Sequence, residues 1–393
     1  MTHRTFPRIV VLTTCLLGLG LALAVAQQGQ IDWDKARRLH QKFVRGEKLT
    51  DEERAYHDRA VQALRAKAGA QRPIAPPAKP PVGLKPLSDM SAEDRYKGQD
   101  GGLYGGGRNE PPEKHLKAAL QQAKLIRPLD AEGKASEDGK VVFVSIGMSN
   151  TTQEFSVFVG LANADPAKSP RVVIVDGAQG GMTASAWANP NRLPRPDARN
   201  PWDVLDEPLH RAHVTAQQVQ VAWIKQANAG PANFGEFPKH AEALKGHMVG
   251  LLNKLKDRFP NLRIAYLSSR IYAGYAKTPL NPEPYAYESA FAVRWLIQDQ
   301  IKGDPKLSYD PDKGLVKSPL LLWGPYLWAD GEKGRKADDL VWNPEDLGPD
   351  GTHPSDTGRR KVAELLLRFV KTGPMAKMWF TAKTATGTND GSR

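Results

Sequence analysis

One cysteine, Cys15, stands in the whole 393-residue chain. It lies early in an apolar stretch behind Leu12-Thr13-Thr14, a poor form of a lipoprotein signal. Once that stretch is set aside, disulfides and thiol nucleophiles are excluded. Long hydrophobic runs are equally scarce: beyond residues 9–26 none is long enough to cross a membrane. No repeat of 20 to 50 residues is present. Charge of one sign is not concentrated either. There are 55 Lys plus Arg against 43 Asp plus Glu, and no basic block gathers the excess of 12. The surplus therefore serves solubility and marks no nucleic-acid partner. Metal-ligand spacing is missing too. His210-x-x-His213, beside Asp206 and Glu207, has no third and fourth ligand and reads as a polar helix face. The glycine cluster 101–107 has no preceding strand and no following Lys-Ser/Thr, which makes it a flexible loop and not a phosphate cradle. No cofactor is implied.

The first 26 residues have the form of a secretory leader. Arg4 and Arg8 precede the apolar run, and Ala24-Val25-Ala26 before Gln27 is a small-x-small cleavage site. The protein is expected to be exported, periplasmic or secreted, with no stable membrane insertion after cleavage. A retained N-terminal anchor is the alternative, because the run is also of spanning length. Residues 27–71 read as a helical hairpin. Trp33, Ala36, Leu39 and Phe43, then Tyr56, Ala60, Ala63 and Leu64, recur at helical spacing around a Gly46-Glu47-Lys48 turn. Thr50 followed by Asp51, Glu52 and Glu53 is a cap with acids in the first turn. Residues 72–138 begin with Pro73, Pro76, Pro77, Pro80, Pro81 and Pro86, an extended linker, and continue as a loop region.

From residue 139 the texture changes. Short apolar strands are expected at 141–145, 172–175, 219–223, 263–267 and 320–323. Helical stretches at 155–162, 238–259, 287–301 and 356–370 lie between or after them. Continuous apolar strands alternating with amphipathic helices predict an α/β fold, a five-stranded, mostly parallel sheet with helices on each side. The domain is placed at 139–372, with a C-terminal tail at 373–393. His240 and His247, on one face of the long helix, are expected to face solvent. In such sheets chemistry sits at the carboxyl ends of the strands. Four segments fall there: Gly147-Met148-Ser149-Asn150, Asp176 to Gly181, Lys225-Gln226-Ala227-Asn228, and Asp350-Gly351-Thr352-His353.

These residue types meet the needs of acyl transfer. A serine hydroxyl becomes a competent nucleophile when an imidazole removes its proton and a carboxylate orients that imidazole. Asp350 and His353 can meet within one loop, and Ser149 at a strand-to-helix turn can project towards them. The developing oxyanion needs donors. The amides of Ser149 and Gly181 and the side chain of Asn228 are candidates, with Gln226 the second choice. Asn228 stands five residues beyond Trp223, so its strand must end early or bulge.

Asp350-Gly351-Thr352-His353-Pro354 closely resembles the Asp-x-x-His block of the SGNH (GDSL-type) hydrolases. Gly147-Met148-Ser149 is similar to their Gly-Asp-Ser, with Met in place of Asp. Gly180-Gly181 followed by Trp187 resembles the second block of the carbohydrate (sialate-type) O-acetylesterases in that group. The third block, Gly-x-Asn-Asp in that family, departs most, for Trp223 to Asn228 has neither its Gly nor its Asp. The resemblance covers residues 139–372. It implies a three-layer sandwich, no metal, and ester hydrolysis through an acyl-serine, with a small-molecule or saccharide ester as substrate. Of nine tryptophans, Trp187, Trp202, Trp323, Trp328 and Trp342 fall in loops or at strand ends near the active edge. Trp187 and Trp328 are the candidates for stacking on a sugar face. Two other classes stay open, a non-catalytic saccharide-binding protein and an O-acyltransferase using the same triad.

Overall fold

The computed structural model describes residues 31–44, 49–70, 82–193 and 198–382. The leader-like residues 1–26, the Gly46-Glu47-Lys48 turn and the proline-rich stretch up to residue 81 lie outside the described residues. The chain divides into two compact units, Met1–Pro76 and Pro77–Arg393.

In the first unit, α1 (Trp33–Val44) and α2 (Asp51–Ala70) bury Ala36, Leu39 and Ala60. Thr50 caps α2 reciprocally. The Glu53 amide donates to Thr50 Oγ1 at 3.2 Å, and the Thr50 amide donates to Glu53 Oε2 at 3.1 Å. Two of the helix's unpaired amides are thereby satisfied.

The second unit opens with α3 (Glu113–Leu125), then β1 (Val141–Gly147), α4 (Ser149–Ala164) and β2 (Val172–Asp176). Two short helices follow, α5 (Ala184–Ala188) and α6 (Pro201–Arg211), before β3 (Val219–Lys225) and the long α7 (Lys239–Arg258). Then come β4 (Ile264–Ser268), α8 (Tyr285–Lys302), β5 (Leu320–Trp323), α9 (Asp356–Thr372) and α10 (Lys377–Phe380). The five strands form one sheet in the order β2-β1-β3-β4-β5, every pair parallel. Every residue of β1, β3, β4 and β5 is buried. That is why the strands read as unbroken apolar runs rather than alternating ones.

α4 and α9 pack on each other on one face, and α7 packs against α5 and α8 on the other. The result is the three-layer α/β/α sandwich. Phe155 of α4 stacks on Trp223 of β3 at 5.6 Å between ring centroids. Truncating such a buried ring costs about 3–5 kcal/mol. The chain runs from β1 out to β2 and crosses back to β3. The reversal leaves a crevice at the carboxyl ends of β1 and β3. β3 carries one extra residue. Val142 pairs with Val219 while Phe143 pairs with Val221, so Gln220 bulges. Its buried amide accepts from the Arg127 amide (3.2 Å) and donates to the Arg127 carbonyl (2.8 Å).

Two expected boundaries are corrected. Residues 82–138 are no linker and flexible loop. Leu87, Met90, Tyr104, Ala119 and Ala123 are buried in the same core as the sheet. The glycine cluster is pinned to α8, where Arg294 Nη1 donates to the Asp100 carbonyl at 2.7 Å and Gln298 Nε2 to that of Tyr104 at 3.0 Å. The C-terminal tail also begins too early as drawn. Trp379 and Phe380 of α10 are buried, and Trp379 packs edge-on against Phe143 at 5.3 Å.

Candidate active site

β1 ends at Gly147 and α4 begins two residues later at Ser149. The turn is tight because Gly147 has no side chain: a Cβ there would stand 2.2 Å from Thr151 Oγ1. That hydroxyl donates to the Lys225 carbonyl at 2.7 Å and ties the first turn of α4 to β3. Below it, Lys225 Nζ contacts both Glu154 carboxylate oxygens at 2.5 Å, both residues fully buried. Burial pushes Lys225 down to about 8 and Glu154 upwards, and their mutual attraction opposes both movements. Breaking such a pair from one side strands a buried charge, so the pair fixes α4 against β3. Ser149 thus sits at the positive end of a helix with its own amide unpaired.

The opposite wall is one loop. Asp350 Oδ1 accepts from the amides of Thr352 and His353, both at 3.0 Å. Its Oδ2 stands 2.5 Å from His353 Nδ1. Gly351 makes the turn with φ +66°, and a Cβ there would collide with the Tyr275 carbonyl. Partial burial pushes the Asp350 carboxyl up, but the His353 amide and imidazole and the Thr352 amide outweigh it and hold it below the usual carboxylate range. Asp350 is therefore a carboxylate at neutral pH, which places the proton of His353 on Nδ1. His353 Nε2 is left to accept, and Ser149 Oγ lies 2.8 Å away. Asn150 Nδ2 (3.0 Å) and Arg270 Nη2 (3.3 Å) both donate to the Thr352 carbonyl and lock the loop against α4 and β4.

Between these walls lies a cavity of about 300 Å³, lined among others by Ser149, Gly181, Asn228, Arg270, Asn281 and His353. β3 runs two residues further than expected, so Asn228 stands three residues past its end and reaches the cavity directly. Its Oδ1 lies 3.0 Å from His247 Nδ1. Burial pulls the His247 pKa down, which favours a neutral ring donating from Nδ1. The amide is thereby oriented with Nδ2 turned away from His247, and Nδ2 is buried without an acceptor. Ser149, Gly181 and Asn228 all line this one cavity, and the Asn228 Nδ2 donor is unspent.

Other expected participants stand elsewhere. Gln226 is 1% exposed, does not line the cavity, and makes one long contact of 3.5 Å from Nε2 to the Met182 carbonyl. Neither stacking candidate faces a ligand. Trp187 is fully buried, donates to the Gly147 carbonyl at 3.1 Å and packs edge-on against Trp202 at 4.8 Å. Trp328 is fully buried and donates to Glu283 Oε1 at 2.8 Å. Trp202, Trp323 and Trp342 are buried as well. The long connections at this edge fold over the core, so a loop position does not mean exposure, and a large indole gains most from burial. His240 is not solvent-facing either, and His247 is only partly exposed. His240 is 4% exposed and lies 2.7 Å from Glu288 Oε2. His247, Arg270 and Asn150 are the site residues that the sequence pattern did not single out in these roles. His247 stands 19 positions beyond Asn228, a separation that carries no signal of their contact in the sequence. Among the described residues no cluster of His, Cys, Asp or Glu is placed to hold a metal ion.

No family model matches this sequence, and no curated protein does. Solved structures give distant matches. A Bacteroides fragilis protein described as an inferred acylhydrolase is 16% identical, with 66% of this chain and 96% of that one covered and a TM-score of 0.34. A carbohydrate esterase is 12% identical over 62% of this chain and 67% of its own, with a TM-score of 0.33. A salicylyl-acyltransferase of a tetracycline biosynthetic pathway is 15% identical over 59% and 54%, with a TM-score of 0.28.

Proposed function

We propose that the chain is a serine carboxylic ester hydrolase acting through Ser149, His353 and Asp350. The observation that carries this is the unbroken hydrogen-bonded path Asp350–His353–Ser149, at 2.5 and 2.8 Å, opening on a cavity with unspent donors. In the first half-reaction Ser149 Oγ attacks the ester carbonyl carbon while His353 Nε2 takes the hydroxyl proton. The carbonyl oxygen becomes an oxyanion facing Ser149 N, Gly181 N and Asn228 Nδ2. Collapse expels the alcohol, which receives the proton from His353 and leaves an acyl-serine. In the second half-reaction water repeats the sequence and releases the acid.

The cavity volume suits a short acyl group, acetyl first among them. With the tryptophans buried, a saccharide as the alcohol rests on the resemblance of Gly180-Gly181 and Trp187 to carbohydrate O-acetylesterases. Export rests on the leader-like residues 1–26. Among the described residues no helix is long and apolar enough to cross a membrane. The deciding experiment is turnover of 4-nitrophenyl acetate by the full chain. Activity that disappears in Ser149→Ala supports the proposal, and hydrolysis that survives the substitution sinks it.

A further inference from the structure

Hydrolysis of a neutral ester does not require every group in this cavity. Arg270, two residues beyond β4, is 2% exposed and lines the cavity with Asn228 and Thr352. A guanidinium carries five N–H donors in a planar fork. Here Nη2 makes one long bond of 3.3 Å to the Thr352 carbonyl, and Nε is buried with no acceptor. Among the described residues no carboxylate lies within ion-pair distance of it. The nearby acids are already engaged. Glu154 is held by Lys225, Asp350 by the His353 loop, and Glu283 by the Ala273 and Tyr287 amides and the Trp328 indole. Burial pulls the Arg270 pKa down from the ordinary arginine value, the mark of a cation short of solvent.

Buried charges are ordinarily paired, and a fork with most of its donors unspent fits a planar oxyanion in bidentate fashion. We infer that the physiological substrate is an ester bearing an anionic group, a carboxylate by best geometric match, which Arg270 holds while Ser149 attacks. This rests on the esterase proposal and narrows its substrate class from any short ester to acidic ones. The anion can belong to the acyl group or to the alcohol; the chemistry at Arg270 is the same.

Two pairs of esters separate these cases. On the alcohol side they are 4-acetoxybenzoate and its methyl ester; on the acyl side, mono-4-nitrophenyl succinate and 4-nitrophenyl methyl succinate. Each rate is normalised to alkaline hydrolysis of the same ester. In one pair the anion should show kcat/KM higher by about 10- to 100-fold, the worth of a charge-assisted hydrogen bond. Arg270→Gln should slow both members of that pair but bring their ratio to within about threefold, mainly through KM of the anion. Arg270→Lys keeps the charge without the fork and should keep a fraction of the preference. Equal slowing of both members at an unchanged ratio would make Arg270 a support for Thr352 alone and overturn the inference. So would a wild-type enzyme that hydrolyses all four esters without preferring an anion, and the esterase proposal would then still stand. Hydrolysis of none of them would remove the esterase proposal first. If Arg270→Gln does not fold, a ratio unaffected by Arg270→Lys overturns the inference on its own.

Discussion

The two walls of the cavity are built on different principles. The Asp350–His353 wall is local: its carboxylate, two amides and imidazole lie within four residues and bond to one another. The Asn228 wall is assembled at a distance. Asn228 follows β3, its orientation is set by His247 on α7, and Gly181 arrives from the connection after β2. A local motif can survive changes elsewhere in the chain, whereas an assembled one depends on the fit of separate elements. The first should fail all at once and the second by degrees.

The comparison is sharpest at the base. On the proposed mechanism, His353→Ala should lower kcat by about three orders of magnitude or more, with thermal stability nearly unchanged, because the members of a catalytic triad act as one unit. Retention of a tenth of the activity would detach the local wall from the chemistry. Next comes the amide. Asn228→Ala should cost about two orders of magnitude in kcat with KM hardly moved, and Gln226→Ala less than one order. If the two effects were reversed, the oxyanion donor would be Gln226. A smaller loss is expected one step further back. His247→Phe keeps the contact with Phe234 but removes the donor to Asn228, and kcat should fall about tenfold. The double variant with Asn228→Ala should be no worse than Asn228→Ala alone, since both act through one amide. Additive losses would show that His247 works by another route. The smallest effect is expected at the N-terminus. A chain starting at residue 77 should keep kcat/KM for 4-nitrophenyl acetate within about twofold, because Met1–Pro76 is a separate compact unit. Starting at residue 87 instead removes the amides that Val82 and Gly83 donate to Asp330, at 2.8 and 3.0 Å, and should lower Tm.

The same contrast explains what the sequence made legible. The strands were plain, to within one or two residues at each end, because a sheet buried on both faces writes itself as short apolar runs. Asp350-x-x-His353 was plain because its geometry is closed within one turn. Residues 82–138 were not. Proline and glycine announce an absence of regular backbone, and they do not announce exposure; Leu87 and Tyr104 are buried and meet partners 239 and 219 positions away. The tryptophans misled for the same reason. His247 and Arg270 gave no signal of their roles, because each acquires its partner from another element.

The bulge at Gln220 sets a phase for everything downstream in β3. Side chains in a strand alternate between faces, so one extra residue exchanges the faces of all that follow. With it, Trp223 and Lys225 both look towards α4, to Phe155 and Glu154. Without it, Lys225 would be delivered to the α7 side as an unpaired cation, and Asn228 would arrive one position out of step. The cavity is therefore counted from the far end of the strand, and a one-residue change of length there would be felt at the cavity, while one in an exposed loop would not.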